Sequence, residues 1–289
     1  MSSGSSPIMV IDGPIKLTIA LVDIESVYHH EEVIPSLLEE LTREIERDGF
    51  LKHPVILDGE TFVVLDGTHR IEALKSLRCR LVPACLVDYS HPGITLGCWY
   101  RTLRGVSSLQ ELLRQLRRRT GLAIEMCGPI RPEEVGRPPT ALALTDGKSY
   151  ARAVADFQDK WDAWALVRKV EKVLTSLGIE IGFETEKDAM RKLARGEADV
   201  VLMTPRITKD DVVRIAKSKR VLPYKATRHV IPARPLFLNI PLEALRSEKP
   251  LEELEEELRR MLASRRVRRY PPGSVIEGRR YEEEVYVLE

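Results

Sequence analysis

The stretch VVLDGTHRIEALKSL, residues 63–77, predicts a buried strand, a tight turn and a helix in immediate succession. Val63–Leu65 has the apolar character of a strand end, and Asp66-Gly67 makes the turn. Thr68 is a favourable N-cap, and apolar residues recur behind it at helical spacing. We therefore expect the chain to pass through Gly67 directly from a sheet into a helix.

The start of this predicted helix is a candidate anion site. The first backbone N–H groups of a helix have no partners within it, and the positive end of its dipole lies at the same place. His69 and Arg70 occupy the first turn, where a cation is unfavourable unless an anion such as phosphate is bound. The stretch alone leaves a second interpretation open, an ordinary capped helix with two solvated basic residues.

Length and composition indicate a globular protein with room for two cores. The 289 residues are 43% hydrophobic and 31% charged, and 45 basic residues nearly balance 44 acidic ones. The net charge of +1 provides no global field for non-specific nucleic-acid binding, and no apolar run reaches the length of a membrane span. The segment MSSGSSP at 1–7 predicts a disordered tail without a signal-peptide core behind it, so we expect a cytoplasmic protein.

Cysteine and amide usage adds two expectations. The chain has no C-x-x-C pair and no histidine at zinc-finger spacing, so we expect reduced, partly buried thiols. The cysteines are Cys79, Cys85, Cys98 and Cys127. One Asn and three Gln beside 31% charged residues are typical of a protein from a hot environment, and we expect a melting temperature above the mesophile range.

Residues 1–104 predict one compact α+β unit. A strand at 15–22 precedes a helix that Pro35 opens, and strands at 55–57 and 61–65 flank the Asp58-Gly59 dipeptide as a hairpin. The helix at Thr68 and a strand near 81–87 complete the unit.

Alternating strands and helices over 105–222 predict a second, α/β domain. Helices are expected at 109–119, 157–177, 186–195 and 209–217, and strands at 122–126, 141–144, 179–183 and 198–203. The basic segment PYKATRHVIPARP, 223–235, is punctuated by prolines and predicts either a binding loop or a solvated loop.

The remaining residues predict a short strand at 237–240 and a C-terminal extension, 246–289. The extension opens with a charged amphipathic helix at 250–262, whose apolar stripe would suit a dimer contact. A homo-oligomer is therefore one expectation.

Three spots have residues suited to catalysis, and each signal is weak alone: His30-Glu31, Asp66–Arg70 and Lys225–His229. Taken in order, however, they resemble a known family. The order of motifs in the first hundred residues resembles the ParB/sulfiredoxin-like superfamily. It is a strand, HE at 30–31, a helix, HPVIL at 53–57 and LDGTHRIEALKSL at 65–77. Further segments narrow the resemblance to the free L-serine kinases of that superfamily. They are the Trp99-Tyr100 pair, ALALTDGKSYA, GEADVVLMTPRITKDDV, YKATRHVIPARP and LNIPLEAL. It covers about 15–245, with the ATRHVIP segment as its most specific part.

The resemblance implies an architecture and an activity. The expected fold is α+β, with a ParB/sulfiredoxin-like nucleotide-binding domain at 1–104 to which 223–245 returns, a second α/β domain at 105–222, and the extension. The implied reaction phosphorylates free L-serine to O-phospho-L-serine with ADP or ATP and Mg²⁺, in a cleft that excludes water. The implied partners are serine and the nucleotide, with no membrane and no nucleic acid.

Site roles follow from the resemblance residue by residue. Glu31 would be the general base and Asp66 would orient the hydroxyl or phosphate, while the metal ligands stay undefined. The phosphate-binding turn would be Gly67, Thr68, His69 and Arg70. Lys225 and Thr227 would bind the nucleotide, and Trp99, Arg228 and His229 would bind serine. Thr68 departs from many relatives, which carry His or another residue there, so any donor preference set by that side chain is open.

Rival functions make different demands on the sequence. A ParB-type DNA-binding protein needs a helix-turn-helix after the nucleotide domain, and the candidate at 208–221 lacks a second recognition helix. Sulfiredoxin chemistry needs a cysteine in the turn, where this chain has Thr68. A non-catalytic nucleotide or amino-acid sensor would not need Glu31, and a threonine kinase differs from a serine kinase by one substrate methyl group.

Overall fold

The computed structural model describes residues 6–289, so the disordered tail predicted at 1–7 lies almost wholly outside the described residues. The chain divides into two compact units. Unit 1 contains the residues up to Thr95, then 216–219 and 229–289, and unit 2 contains 96–215 and 220–228. Among the described residues, none of the helices is both long and apolar enough to cross a bilayer.

The helices of the described part are α1 Pro35–Asp48, α2 Thr68–Ser76, α3 Leu109–Thr120, α4 Lys160–Ser176, α5 Glu186–Ala194, α6 Lys209–Lys217, α7 Leu242–Arg246 and α8 Leu251–Ala263, with 3₁₀ turns at Ile24–Ser26 and Pro132–Glu134. The strands are β1 Met9–Ile11, β2 Leu17–Asp23, β3 Phe50–Leu51, β4 Val55–Asp58, β5 Val64–Asp66, β6 Leu81–Val87, β7 Thr95–Arg104, β8 Ala123–Cys127, β9 Thr140–Thr145, β10 Tyr150–Val154, β11 Glu180–Thr185, β12 Val200–Met203, β13 Thr227–Val230, β14 Ala233–Leu236, β15 Ile240–Pro241, β16 Val267–Tyr270, β17 Val275–Ile276, β18 Arg279–Arg280 and β19 Glu284–Leu288.

The core of unit 1 is a five-stranded sheet in the order β1-β2-β6-β4-β5. β4 and β6 run parallel, while β4 and β5 form the predicted antiparallel hairpin, with Ile56 opposite Asp66. α2 follows β5 after Gly67 and buries its apolar face completely at Ile71, Ala73 and Leu74. The strand-turn-helix prediction at 63–77 is therefore confirmed.

The C-terminal extension is part of unit 1. The apolar face of α8, formed by Leu254, Leu258 and Leu262, is buried, and the helix contacts β1 and β2. β14, β19 and β16 form a separate three-stranded sheet. The amphipathic pattern that suggested a dimer contact is thus accounted for by packing inside the unit.

Unit 2 is built on a sheet in the order β11-β7-β12-β9-β10-β8, with β13 paired to β7. The pairs within that order run antiparallel, a direction that alternation of strands and helices does not determine. α4 contacts β9 and β11 and buries Trp164 completely.

The residues around Trp99 form the long strand β7, which pairs with β11 and β12, and Thr95 is the last residue of the first stretch of unit 1. Two local predictions need correction. The segment 223–235 is not a loop, because it contains β13 and the first three residues of β14. Residues 237–239 are not part of a strand, since Phe237 and Asn239 have φ of 59° and 48°, which breaks an extended backbone, and β15 begins only at Ile240.

The cysteines agree with expectation. All four are free thiols, with Cys79, Cys85 and Cys98 buried and Cys127 half-buried. Burial raises the pKa of the Cys85 thiol to about 12, although the charge of Arg234 opposes the change.

Candidate active site

Gly67 turns the chain from β5 into α2 with φ 110° and ψ 26°, a left-handed conformation that favours glycine. The N-cap of the helix is this glycine, and no side chain caps the first turn. The prediction of Thr68 as N-cap was therefore wrong by one residue, because Thr68 already has helical geometry. A helix N-terminus without a side-chain cap is compatible with the phosphate interpretation, in which backbone N–H groups of the first turn bind an anion.

Replacing Gly67 by Ala is expected to destabilise the protein by about 2 kcal/mol or more, because left-handed strain adds to a collision. A Cβ there would lie 2.9 Å from Val55 Cγ1 and 2.9 Å from Arg70 Nη2. Gly49 is the matched control, since its φ is 75° and a Cβ would meet nothing within 4 Å. Denaturant unfolding of both Ala variants checks the prediction, and an equal loss in the two would contradict it.

Asp66 lies between two arginines of the same unit. Its Oδ2 accepts from Arg70 Nη2 at 3.1 Å and from Arg234 Nη1 at 2.8 Å. Burial alone would raise the pKa of the Asp66 carboxyl, but Arg70 and Arg234 hold it well below its usual range. Asp66 is therefore a fixed carboxylate, with one oxygen bound to both guanidinium groups.

The side chain of Arg70 turns inward. Besides Asp66 it donates to the backbone carbonyls of His53, at 3.2 Å, and of Pro54. The interpretation of Arg70 as a solvated cation is wrong. Its guanidinium braces the strand-turn-helix, and the part of this residue that remains for a phosphate is the backbone N–H.

His69 connects the first turn of α2 to the segment that contains Glu31. Its Nε2 accepts from the Ile34 N–H at 3.0 Å, so the ring is neutral there, and burial lowers the pKa of His69. Glu31 is half-buried and lies three residues before Ile34, directly after the buried His30. The segment 31–34, which contains the predicted base, is thus joined to the first turn of α2 by a hydrogen bond within unit 1.

His53 lies among cationic side chains and stays neutral. Its Nδ1 accepts from the Phe237 N–H at 3.1 Å, and its ring packs edge-on against the Phe237 ring. Burial, followed by the charges of Arg70 and Lys52, lowers the pKa of His53 to about 3. The imidazole is therefore a structural acceptor rather than a phosphate ligand.

This lowered pKa predicts a loss of stability in acid. Between about pH 6.5 and pH 3 the unfolded state binds the proton of His53 and the folded state does not, so stability falls as the pH falls through that window. We expect the protonation of His53 in the unfolded state to lower the free energy of unfolding by about 1–2 kcal/mol at pH 5 relative to pH 7.5. His53→Asn, whose Oδ1 can replace Nδ1 as acceptor, should remove that part of the pH dependence in denaturant unfolding. An identical pH slope in both proteins would contradict the prediction.

His229 packs with two other aromatic side chains of unit 1. Its Nε2 lies 2.8 Å from the Tyr89 hydroxyl, and its ring meets the His30 ring edge-on at 5.4 Å between centroids. Burial and the neighbouring His229 lower the pKa of His30 well below the usual value. His229 thus has a fixed orientation, and Tyr89 is a partner that the sequence did not indicate.

Unit 2 brings three of the predicted residues around the ring of a fourth, Trp99. Lys225 Nζ lies 4.0 Å from the ring centroid and the Arg228 guanidinium 6.0 Å from it. The indole Nε1 donates to the carbonyl of Thr227 at 3.0 Å. A cationic, aromatic surface of this kind suits an anionic or zwitterionic ligand.

Arg101 supports the backbone of this cluster, a role that the sequence analysis did not identify. The side chain is fully buried, and Nη1 donates to the carbonyls of Trp99 at 2.8 Å and of Lys225 at 2.9 Å. Glu171 pairs with its Nε at 2.5 Å, and the guanidinium lies 4.6 Å from the Phe183 ring centroid. The left-handed backbone of Lys225, φ 59°, is thereby fixed. In the sequence, the one signal for Arg101 is a charged residue within an otherwise apolar strand.

The described residues contain no group of three or more His, Cys, Asp or Glu side chains arranged to hold a metal ion. Mg²⁺ in phosphoryl transfer is bound by one or two carboxylates together with substrate phosphates, so such a group is not required. Asp66 Oδ1 is the acidic oxygen at the turn to which neither arginine bonds. The donor set therefore fits a magnesium ion brought by the nucleotide.

No protein-family model matches the chain. It is 29% identical over 239 residues to an ATP-dependent L-serine kinase of Staphylothermus marinus, which covers 78% of this chain and 90% of the relative. It is 28% identical to the ADP-dependent L-serine kinase of Thermococcus kodakarensis, over 80% and 94% of the two chains. A solved structure of a glutamate-to-alanine variant of a free serine kinase with AMP is 26% identical, with a TM-score of 0.67 over 81% of this chain and 97% of that one. The resemblance of this chain to the free L-serine kinases of the ParB/sulfiredoxin-like superfamily is therefore confirmed in both sequence and fold.

Proposed function

We propose that this chain is a cytoplasmic kinase that transfers a phosphoryl group from ADP or ATP to the hydroxyl of free L-serine. The observation that carries the proposal is the bond from the Ile34 N–H to His69, which holds the segment with Glu31 against the first turn of α2. The likeness to L-serine kinases over about four fifths of the chain supports the choice of acceptor. Free, mostly buried cysteines fit a reducing compartment.

The proposed reaction gives each part of unit 1 one task. Glu31 takes the proton of the serine hydroxyl, whose oxygen then forms a bond to the terminal phosphorus of the nucleotide. The bond from that phosphorus to the bridging oxygen breaks, and AMP or ADP leaves. The N–H groups of Thr68, His69 and Arg70 hold phosphate oxygens at the positive end of α2. Mg²⁺ bound with the nucleotide would neutralise charge that develops on these oxygens, with Asp66 as its protein ligand.

In unit 2, we propose that the Trp99 cluster binds the anionic groups of the substrates. Lys225 and Arg228 supply positive charge over the ring, and Thr227 is fixed by the indole hydrogen bond. In unit 1, His229 is proposed to contact serine, with Tyr89 setting its orientation. Arg228→Ala is expected to raise substrate KM about tenfold or more while changing kcat less, because the lost contact acts mainly in binding. Steady-state kinetics check this, and a loss confined to kcat would contradict it.

A screen of free amino acids against ADP, ATP and pyrophosphate tests the function itself. The two named relatives differ in donor, so the screen must vary donor and acceptor independently. We expect phosphoserine with one nucleotide clearly preferred, and less product from threonine, because its additional methyl group must fit the same pocket. Product from threonine alone would overturn the choice of acceptor. Tight, sequence-dependent DNA binding at physiological salt would instead favour the ParB-type rival, although α6 is followed by β13 and β14 rather than a second helix.

A further inference from the structure

The C-terminal extension is connected to Asp66 through the side chain of Arg234, all within unit 1. Arg234 donates from Nη1 to Asp66 Oδ2 at 2.8 Å, and its Nε forms an ion pair with Glu283 Oε1. The side chains of Arg234 and Glu283 are each 14% exposed, so water screens their attraction only weakly. Glu283, Arg234 and Asp66 therefore form a connected row of alternating charges.

The register of the small sheet places Glu283 beside Arg234. β14 and β19 run parallel, with Ala233 opposite Glu284 and Arg234 opposite Val285. The Glu284 N–H also donates to the Pro232 carbonyl at 3.0 Å. Glu283 comes directly before β19, so the backbone pairing brings its carboxylate to the arginine.

The two carboxylate oxygens of Asp66 differ in their hydrogen bonds to arginine. Both arginines bond to Oδ2, and neither bonds to Oδ1. A guanidinium readily binds both oxygens of one carboxylate in a bidentate pair. Because the Glu283 carboxylate forms an ion pair at Nε of Arg234, only Nη1 is directed at Asp66. Without that negative charge beside Nε, Arg234 would be able to turn its Nε edge toward Asp66 and cover Oδ1.

We propose that Glu283 is a positioning residue for phosphoryl transfer, which holds Arg234 so that Asp66 keeps Oδ1 available to the substrates. The inference rests on the proposed function and gives the extension a task in it. Glu283 acts through Arg234 and touches no substrate.

The test is a double-mutant cycle on the purified full-length protein. kcat and both KM values are measured for wild type, Glu283→Gln, Arg234→Gln and the double variant. We expect Glu283→Gln to lower kcat about tenfold or more with both KM values within about threefold, and to have no further effect once Arg234 is Gln.

Arg269→Gln is the matched control. It breaks the neighbouring ion pair, the 2.5 Å contact of Arg269 in β16 with Glu284 in β19, without altering Arg234. The control should keep wild-type kcat. If Glu283→Gln does not fold, Glu283→Asp, which keeps the charge and shortens the reach, is judged by the same criteria.

The outcomes separate this inference from the proposed function. An unchanged kcat in Glu283→Gln, additive losses in the cycle, or an equal loss in Arg269→Gln would overturn the positioning role while leaving the kinase intact. A wild-type protein that forms no phosphoserine would overturn the proposed function, and the positioning role with it.

Discussion

The Glu31→Gln variant is expected to lose at least about 100-fold in kcat for phosphoserine formation, because a positioned general base contributes about 10²–10⁴-fold. Glutamine has the same shape and still hydrogen-bonds, but it cannot take up the serine proton. The segment is held by the Ile34–His69 bond, which the substitution does not alter, so fold and nucleotide binding should persist. Steady-state kinetics and calorimetric nucleotide titration measure the two effects separately.

Glu32→Gln is the matched control for this variant. It removes one carboxylate from the same half-buried segment at the neighbouring position, and we expect its kcat to stay within about threefold of wild type. Full activity in Glu31→Gln would refute the assignment of the base. Equal losses in both variants would point to the charge of the segment instead of one proton acceptor.

Asp66→Asn is expected to affect both stability and activity. Arg70 and Arg234 would lose the carboxylate that both of them bind, which leaves two largely buried guanidinium groups under-compensated. We expect a loss of about 2 kcal/mol in the free energy of unfolding and about 100-fold or more in kcat, since the motif oxygen is replaced by an amide.

Denaturant unfolding and kinetics at a temperature well below the melting point separate the two losses of Asp66→Asn. Asp88→Asn is the control, because Asp88 is an exposed turn residue that accepts from the Ser90 N–H at 2.9 Å. It should change stability by less than about 1 kcal/mol and leave kcat unaltered. An Asp66→Asn protein with wild-type kcat would exclude this carboxylate from the reaction.

The local part of the site was predictable because its signals lie close together in the chain. A strand end, a glycine with positive φ and a helical apolar stripe all fall within 63–77, and the Asp58-Gly59 turn fixes the preceding hairpin. The role proposed for Glu31 followed only from the resemblance, because a Glu after a His gives no local sequence signal of a catalytic base. The structure adds the Ile34–His69 bond, which joins the segment containing Glu31 to α2.

The buried charge network was not predictable from local pattern. The sequence left open whether Arg70 is a solvated cation, because helical spacing does not indicate which way a long side chain turns, and its partners include the carbonyl of His53, 17 positions earlier. Arg234 lies still farther along the chain from Asp66, and Glu283 comes beside Arg234 through the pairing of β14 with β19. Arg101 lies in an apolar strand, where a lone charge gives no hint of its acceptors in 224–225.

The backbone irregularities behind the corrected predictions were hidden for a similar reason. Phe237 and Asn239 interrupt an apolar run that fits a strand, and their left-handed φ is held by distant contacts. The Phe237 N–H donates to His53, and the Asn239 N–H donates to the carbonyl of Lys52. Tertiary hydrogen bonds therefore outweigh the local strand propensity there.

The stoichiometry of product formation tests the central claim most directly. The purified protein is incubated with L-serine, Mg²⁺ and either ADP or ATP, and phosphoserine and the released nucleotide are quantified together by mass spectrometry. The proposed function predicts O-phospho-L-serine and AMP, or ADP, in equal amounts from at least one donor, with neither formed when serine is omitted. Nucleotide turnover without phosphoserine, or no turnover with either donor, would contradict it.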